Sequence, residues 1–191
     1  RKGTAAKKFD ALKVFTDYFS NKAEDAKKQA LIESEKTKAN NAKYAGIIAE
    51  KIAYFTKTKA SATTTPSGLV YTIVHKGAGI KPIDGSTFFF HYAGYFEDGT
   101  LFDSSYEEVA KAYGKYDANR AAQNGYQAFP FEAGKKDGMI PGFLEGLSLM
   151  TYGDKAVFFI PSNLAYGDKG AGGVIPPNAW LIFDIKLESA K

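Results

Sequence analysis

The periodicity of the chain changes at SATTTPSG (residues 61–68), and this change divides it into two parts that must fold differently. Before it, residues 1–59 are rich in Ala and Lys, contain no Pro and repeat apolar residues at helical spacing. After it, apolar and aromatic residues alternate or run together, as they do in strands. Small polar residues with Pro and Gly are typical of a linker. The sequence therefore predicts a helical segment at 1–60, a linker at 61–68 and a second domain at 69–191.

The helical segment carries only narrow apolar stripes, made of Phe9, Leu12, Phe15 and Phe19, then Tyr44, Ile47, Ile48, Ile52 and Phe55. Asn21 and Glu24 resemble an N-cap and its capping-box partner, which predicts that one helix ends near Ser20 and another begins. Such stripes cannot form a core alone. We therefore expect an arm that packs on a second copy of the chain, giving a homodimer, or on a neighbouring domain. Arg rather than Met at position 1 favours a processed chain or a fragment of a longer protein.

The second part contains four segments with strand-like patterns: LVYTIVH (69–75), STFFFHYAGYF (86–96), KAVFFI (155–160) and AWLIFDIKL (179–187). Between them, IPGFLEGLSLM (140–150) places Pro at a first helical position and three apolar residues on one face, which predicts a short helix. The expected fold is α+β: an antiparallel sheet curled around one short helix, preceded by the helical arm.

Composition and charge exclude several classes of function. The chain has no Cys and only two His, so disulfides and thiolate metal sites are excluded, and we expect no metal and no cofactor. No run of apolar residues approaches the roughly 20 that span a bilayer. Residues 1–65 carry 14 basic and 7 acidic side chains, but these are interleaved at helical spacing. A solvated helix face is therefore favoured over a nucleic-acid partner. The glycine-rich GDKGAGGVIPP (167–177) lacks the ending of a phosphate loop.

Four long segments of the second part resemble the FKBP family of peptidyl-prolyl cis–trans isomerases, and they occur in the family's order: HYAGYFEDGTLFDSS (91–105), MIPGFLEGL (139–147), IPSNLAYGDKG (160–170) and VIPPNAWLIFDIKL (174–187). The resemblance covers residues 66–187. It implies an FKBP-like fold and a bacterial-type isomerase that acts on proline-containing polypeptides. Relatives in bacterial envelopes often carry helical arms, used for dimerisation and for holding unfolded clients, which favours the cell envelope over the cytoplasm.

The resemblance also implies the site. Catalytic roles fall on Tyr92, Asp103, Ile140, Tyr166 and Phe183, and substrate-binding roles on Phe102, Phe129, Met139, Phe143, Val174 and Ile175. Phe143 would form the pocket floor and Asp103 the carboxylate at its rim. The Tyr166 hydroxyl and the backbone N–H of Ile140 would donate hydrogen bonds to substrate carbonyls.

The implied reaction explains why a nucleophile is not needed. Rotation about a peptide bond faces a barrier of roughly 18–20 kcal/mol, because resonance must be broken, but no bond is made or cleaved. We expect an apolar pocket that removes water from the planar amide and binds the twisted amide better. The alternative is an FKBP-fold module that binds peptides, or acts as a chaperone, without turning them over.

Two departures from the family pattern affect this site. The family usually has Trp at the floor, where this chain has Phe143, so we expect a deeper or looser pocket and weaker binding of macrolide inhibitors. Residues 106–128 are longer than the family's usual connection and should edge the pocket.

Overall fold

The computed structural model describes the backbone of residues 11–190 and the side chains of residues 24–190. Phe9 and the side chains of Leu12, Phe15 and Phe19 therefore lie outside the described residues. The chain divides into two compact units, and the division falls between Lys43 and Tyr44.

The described residues of the first unit form one helix, α1 (Ala11–Lys43), 33 residues long. It runs through Asn21 without interruption, so the helix end expected near Ser20 is wrong. The reason is that the flanking Ala and Lys residues favour helix, and one interior Asn costs only about 0.7 kcal/mol or less relative to Ala. From residue 24 onward its side chains are mostly exposed, including Leu31 at 60%.

The second unit begins with helix α2 (Ala45–Ala60), which packs on the sheet of this unit. Phe55 is 4% exposed, and its ring centroid lies 5.2 Å from that of Tyr95 and 6.2 Å from that of Phe159. Residues 63 and 64 form a short strand rather than a free linker. The division thus differs from the expected boundary at 61–68, because the apolar stripe of α2 covers one face of the sheet.

The sheet of the second unit has seven strands: β1 (Thr63–Thr64), β2 (Val70–His75), β3 (Thr87–Phe96), β4 (Leu101–Ser104), β5 (Phe129–Glu132), β6 (Lys155–Ile160) and β7 (Leu181–Leu187). Their order is β1-β2-β6-β7-β3-β4, with β5 also paired to β3, and every pairing is antiparallel. The helix α5 (Pro141–Leu149) begins at Pro141, as its sequence predicts. The expected α+β class, with an antiparallel sheet, one short central helix and a preceding helical arm, is confirmed.

Both faces of the sheet are buried, because the central strands are apolar on both sides. Along β6, Ala156, Phe158 and Ile160 face the core that includes α5, and Val157 and Phe159 face the opposite core. We call these the front and back faces. The back face is covered by α2 through Phe55, and by the segment that includes α3 (Glu107–Ala112) through residues 109 and 113. A further short helix, α4 (Ala118–Ala122), follows α3.

One ion pair joins α2 to the back face. The Lys51 ammonium lies 3.0 Å from Asp184 Oδ2 of β7, and the two side chains are 24% and 27% exposed. Burial raises the pKa of the Asp184 carboxyl above its usual range, and Lys51 opposes that rise. The ammonium also lies 5.1 Å from the ring centroids of Tyr54 and Tyr95. The positive charge of Lys51 therefore offsets the cost of burying the charged Asp184 carboxylate.

Replacing Lys51 by Met should destabilise the protein by about 1–3 kcal/mol at neutral pH, because a half-buried carboxylate loses its partner. Asp184 has a folded-state pKa above its unfolded value, so its protonated form is the one that folding favours. The deficit of the variant should therefore shrink as the pH falls and Asp184 takes up a proton. Thermal unfolding at several pH values measures this. Lys57→Met, at an exposed position of the same helix, is the control, and an equal loss in both variants would contradict the assignment.

Candidate active site

The front face carries a cluster of aromatic rings centred on Phe183 of β7. Its ring centroid lies 4.9 Å from that of Phe143, 5.5 Å from that of Phe102 and 6.5 Å from that of Tyr92. The rings of Phe143 and Phe102 meet it at 84° and 89°, the edge-to-face arrangement that ring quadrupoles favour. Four residues distant in sequence are therefore brought together as one apolar wall and floor.

Helix α5 supplies Phe143, the residue expected at the floor. Phe143 is 5% exposed and packs against Phe90 and Phe158, whose ring centroids lie 5.5 Å and 6.0 Å away. The helix can approach the sheet because residue 146 is Gly: a Cβ there would lie 2.4 Å from the Phe158 ring. Phe143 is thus fixed in place by packing on several sides.

The start of α5 supplies one hydrogen-bond donor. Ile140 precedes Pro141 with φ −59° and ψ 145°, and its carbonyl accepts from the N–H groups of Phe143 and Leu144. Its own N–H donates to none of the residues that the structure describes. Met139 and Ile140 are partly buried against the front core. The Ile140 N–H is therefore available to a ligand.

The exposed edge of the site comes from β5 and from the loop between β6 and β7. Phe129, Tyr166 and Val174 are 46%, 44% and 60% exposed, whereas Ile175 is 7% exposed within the front core. Within the loop, the carbonyl of Ile175 accepts from the N–H of Ala171 at 2.9 Å. Phe129 packs on Phe90, with ring centroids 5.7 Å apart. Large apolar and aromatic side chains exposed in this way are suited to contact a ligand.

A carboxylate and a hydroxyl pair beside the aromatic cluster. The Tyr92 hydroxyl donates to Asp103 Oδ2 at 2.5 Å, and the N–H of Ser104 donates to Oδ1 at 2.9 Å. Burial, and then the hydrogen bond to the Asp103 carboxylate, raise the pKa of Tyr92 to about 12. Tyr92 therefore remains a protonated donor throughout the physiological pH range.

Asp103 has a second partner that the sequence did not indicate. Arg120 Nη1 lies 2.6 Å from Asp103 Oδ1, and the side chains are 29% and 40% exposed. Arg120 belongs to α4, inside the long connection 106–128, so this connection reaches Asp103 and places a positive charge beside it. The sequence signal that could have drawn attention to Arg120 was composition, because the chain has only two Arg among 25 basic side chains. Arg is favoured over Lys where a carboxylate must be held in a fixed geometry.

The structure thus brings together most of the residues expected at the site. Tyr92, Phe102, Phe143 and Phe183 form the aromatic cluster, Asp103 joins Tyr92, and Met139, Ile140 and Ile175 pack on the same front core. Phe129 joins through Phe90, and Tyr166 and Val174 lie on the exposed loop. Which of them act on a substrate remains a prediction.

Among residues 24–190, whose side chains the structure describes, no group of three His, Asp or Glu side chains is arranged to hold a metal ion. No helix within residues 11–190 is long and apolar enough to cross a membrane.

Comparison with known proteins assigns the family. Residues 79–188 match the family model described as FKBP-type peptidyl-prolyl cis-trans isomerase. The chain is 39% identical over 150 residues to the probable FKBP-type peptidyl-prolyl cis-trans isomerase FkpA of Neisseria meningitidis serogroup B, covering 78% of this chain and 46% of that protein. It is 33% identical over 147 residues to the FKBP-type 22 kDa isomerase of Escherichia coli K12, covering 76% and 62%.

A solved structure extends the similarity over nearly the whole chain. The crystal structure of FkpA from Escherichia coli matches with a TM-score of 0.54 and 30% identity, covering 97% of this chain and 75% of that one. The chain belongs to the FKBP-type peptidyl-prolyl cis-trans isomerase family, as its sequence motifs predicted. It spans about half the length of the curated relatives that it matches, between 40% and 62%.

Gly94 of β3 allows the pocket walls to approach each other. A Cβ at this position would lie 2.5 Å from the Phe102 ring and 2.9 Å from the Phe183 ring. Gly94→Ala should therefore separate the two rings, lower the affinity for an apolar peptide and destabilise the domain by about 1–3 kcal/mol. Peptide titration and thermal unfolding measure these effects.

Gly46→Ala is the matched control for Gly94→Ala. It lies in α2, and a Cβ there meets nothing within 4 Å. It should leave peptide affinity unchanged and stabilise the helix by up to about 1 kcal/mol. Unchanged affinity in Gly94→Ala would show that Phe102 and Phe183 do not form the ligand-contacting wall.

Proposed function

We propose that this chain accelerates cis–trans exchange of X–Pro peptide bonds in folding polypeptides. The observation that carries the proposal is the cluster of aromatic rings around Phe183 and Phe143, with the Ile140 N–H beside it donating to no described residue. Relatives that bear the isomerase name support it. The function is a proposal for this chain because it spans only part of those relatives.

The pocket would act through solvation and differential binding. A planar amide has more charge separation than a twisted amide, so removing water from it destabilises the planar ground state relative to the twisted transition state. Each tenfold acceleration needs only about 1.4 kcal/mol of such a difference. Phe102, Phe143 and Phe183 would exclude water from the proline ring and the bond before it.

The edge of the pocket would orient the substrate. The Ile140 N–H and the Tyr166 hydroxyl would donate to carbonyls on either side of the rotating bond, which fixes the flanking chain while the amide turns. The side chain before proline would meet Phe102, Val174 and Ile175. We therefore expect a preference for bulky apolar residues at that position.

The identity of the floor residue should affect the affinity for macrolide inhibitors. Phe143 lacks the indole of the family's usual Trp and is smaller, so a macrolide would find less contact area at the base of the pocket. Phe143 is surrounded by Phe90, Phe158 and Phe183, which keep its ring fixed. We propose weak macrolide binding on this basis.

The arm would serve assembly or client capture. The side chains of α1 from residue 24 to 43 are mostly exposed, and its apolar content is too small for an independent core. A second copy of the chain would bring two pockets close together and raise the effective concentration of the site for a client.

The location that we propose is the bacterial cell envelope. A relative from Legionella longbeachae, 37% identical over 71% of this chain, is named outer membrane protein MIP. Fractionation of cells that express the full-length protein tests this proposal, and recovery only in the cytosol would contradict it.

Tyr166→Phe tests the chemistry with little change of volume. The Tyr166 side chain is 44% exposed, so the loss of its hydroxyl should not affect folding. A lost hydrogen bond to the substrate should reduce kcat/KM on a short X–Pro peptide by about fivefold, the effect of roughly 1 kcal/mol. An unchanged rate and affinity would refute the donor role. A wild-type protein that binds the peptide without accelerating exchange would instead favour the binding-module alternative.

Two deletions test the role of the arm. Removal of residues 1–43 should leave short-peptide isomerisation nearly unchanged, because residues from Tyr44 onward form a compact unit of their own. It should reduce assistance to a full-length protein whose folding is limited by proline, with light scattering reporting the mass. Removal of residues 1–60 also takes away Lys51 and Phe55, so it should lower the melting temperature markedly. Equal melting temperatures for the two deletions would contradict the back-face packing of α2.

A further inference from the structure

The connection 106–128 holds its arginine in a column of stacked side chains. The Arg120 guanidinium carbon lies 4.7 Å from the ring centroid of Tyr126. The Tyr126 ring stacks on that of Tyr116, with centroids 5.8 Å apart and planes inclined by 12°. The Lys111 ammonium lies 4.8 Å from the centroid of Tyr116. A cation over a ring face is attracted by the quadrupole of the ring, so the column is favourable at both ends.

The connection 106–128 also holds Arg120 and Tyr126 in place through further contacts. Arg120 Nε donates to the carbonyl of Gly125 at 3.0 Å, and a Cβ at residue 125 would lie 2.5 Å from Arg120 Cγ, so Gly permits this approach. The N–H of Asp117 donates to the Tyr126 hydroxyl at 2.9 Å. Asp117 also caps α4 by accepting from the N–H groups of Asn119 and Arg120. Tyr126 and Arg120 are thus tied to each other through a closed set of contacts.

The guanidinium therefore has a defined partner on each side: a ring face, a backbone carbonyl and the Asp103 carboxylate. An exposed ion pair alone contributes little, because a long side chain must be held in one geometry while water competes for it. With 29% and 40% exposure, the Arg120–Asp103 pair is open to that competition. The ring and the carbonyl restrict Arg120 to the orientation in which Nη1 meets Oδ1.

We propose that Tyr126 is a positioning residue for the isomerase pocket: its ring holds the Arg120 guanidinium on Asp103, and so keeps the carboxylate that accepts from Tyr92 turned into the pocket wall. The proposal rests on the proposed isomerase function. Without the ring, Arg120 leaves Asp103 for part of the time. Water then solvates the carboxylate at the wall, and the pocket removes water from the amide less completely.

The experiment is a double-mutant cycle on the full chain with a short X–Pro peptide. Tyr126→Leu should lower kcat/KM by about two- to fivefold, the rate equivalent of a surface cation–ring contact. Tyr126→Phe keeps the ring face and should retain most of the activity. In the Arg120→Gln background, Tyr126→Leu should have no further effect, because the residue through which it acts is absent.

A second measurement follows Arg120 without using activity. Its Nε–H resonance should be sharp and slow to exchange in the wild-type protein and in Tyr126→Phe, and broadened in Tyr126→Leu. An equal loss of kcat/KM in the wild-type and Arg120→Gln backgrounds would overturn the proposal, as would an unchanged Nε–H resonance in Tyr126→Leu. If the wild-type protein binds the peptide but does not isomerise it, the proposed function fails. The same double-mutant cycle, with peptide affinity measured in place of kcat/KM, then decides the role of Tyr126.

Discussion

The edge-to-face packing of Phe183 between Phe102 and Phe143 is the contact on which the second unit depends. Phe183 belongs at once to the core under α5 and to the aromatic cluster, so the residues expected at the site are held by the packing of the core itself. Its position follows from strand register: Phe183 pairs with Gly94 on β3 and with Phe158 on β6. Gly at 94 and Gly at 146 then allow neighbouring rings and α5 to approach closely. A pocket built in this way has walls whose rotamers are fixed by packing, which is the preorganisation that binding of a twisted amide requires.

The back face makes that rigidity possible. A sheet whose strands are apolar on both sides needs cover on both sides, and α2 supplies it with Phe55 and Lys51. Asp184 alternates along β7 with Phe183 and Ile185, so the same strand points a carboxylate backwards and a pocket ring forwards. The charge on that carboxylate is balanced from α2. A helix that looks like part of an arm in sequence is thus a structural part of the second unit.

The parts of the fold that could be predicted are those with long, unambiguous patterns. The strands β2, β3, β6 and β7 carry six or more apolar or alternating residues, and α5 has Pro at its first position. The strands β1, β4 and β5 have two to four residues and gain their stability from pairing, which leaves little local pattern. The apolar stripe on α2 could be recognised in the sequence, but the stripe alone does not identify the surface on which it packs. Arg120 lies 17 residues after Asp103, so only the fold of the intervening connection could join them.

That connection also resolves a physical conflict within the pocket. Removal of water from an amide requires apolar walls, yet Asp103 places a carboxylate in one of them, and an unpaired carboxylate in such surroundings would draw water in. Tyr92, the N–H of Ser104 and Arg120 occupy the carboxylate oxygens from the protein side. Since Arg120 carries the opposite charge, the wall is close to neutral as well as hydrogen-bonded. The Asp103 turn and the connection 106–128 therefore act together: the turn places the carboxylate beside the aromatic cluster, and the connection supplies the charge that offsets it.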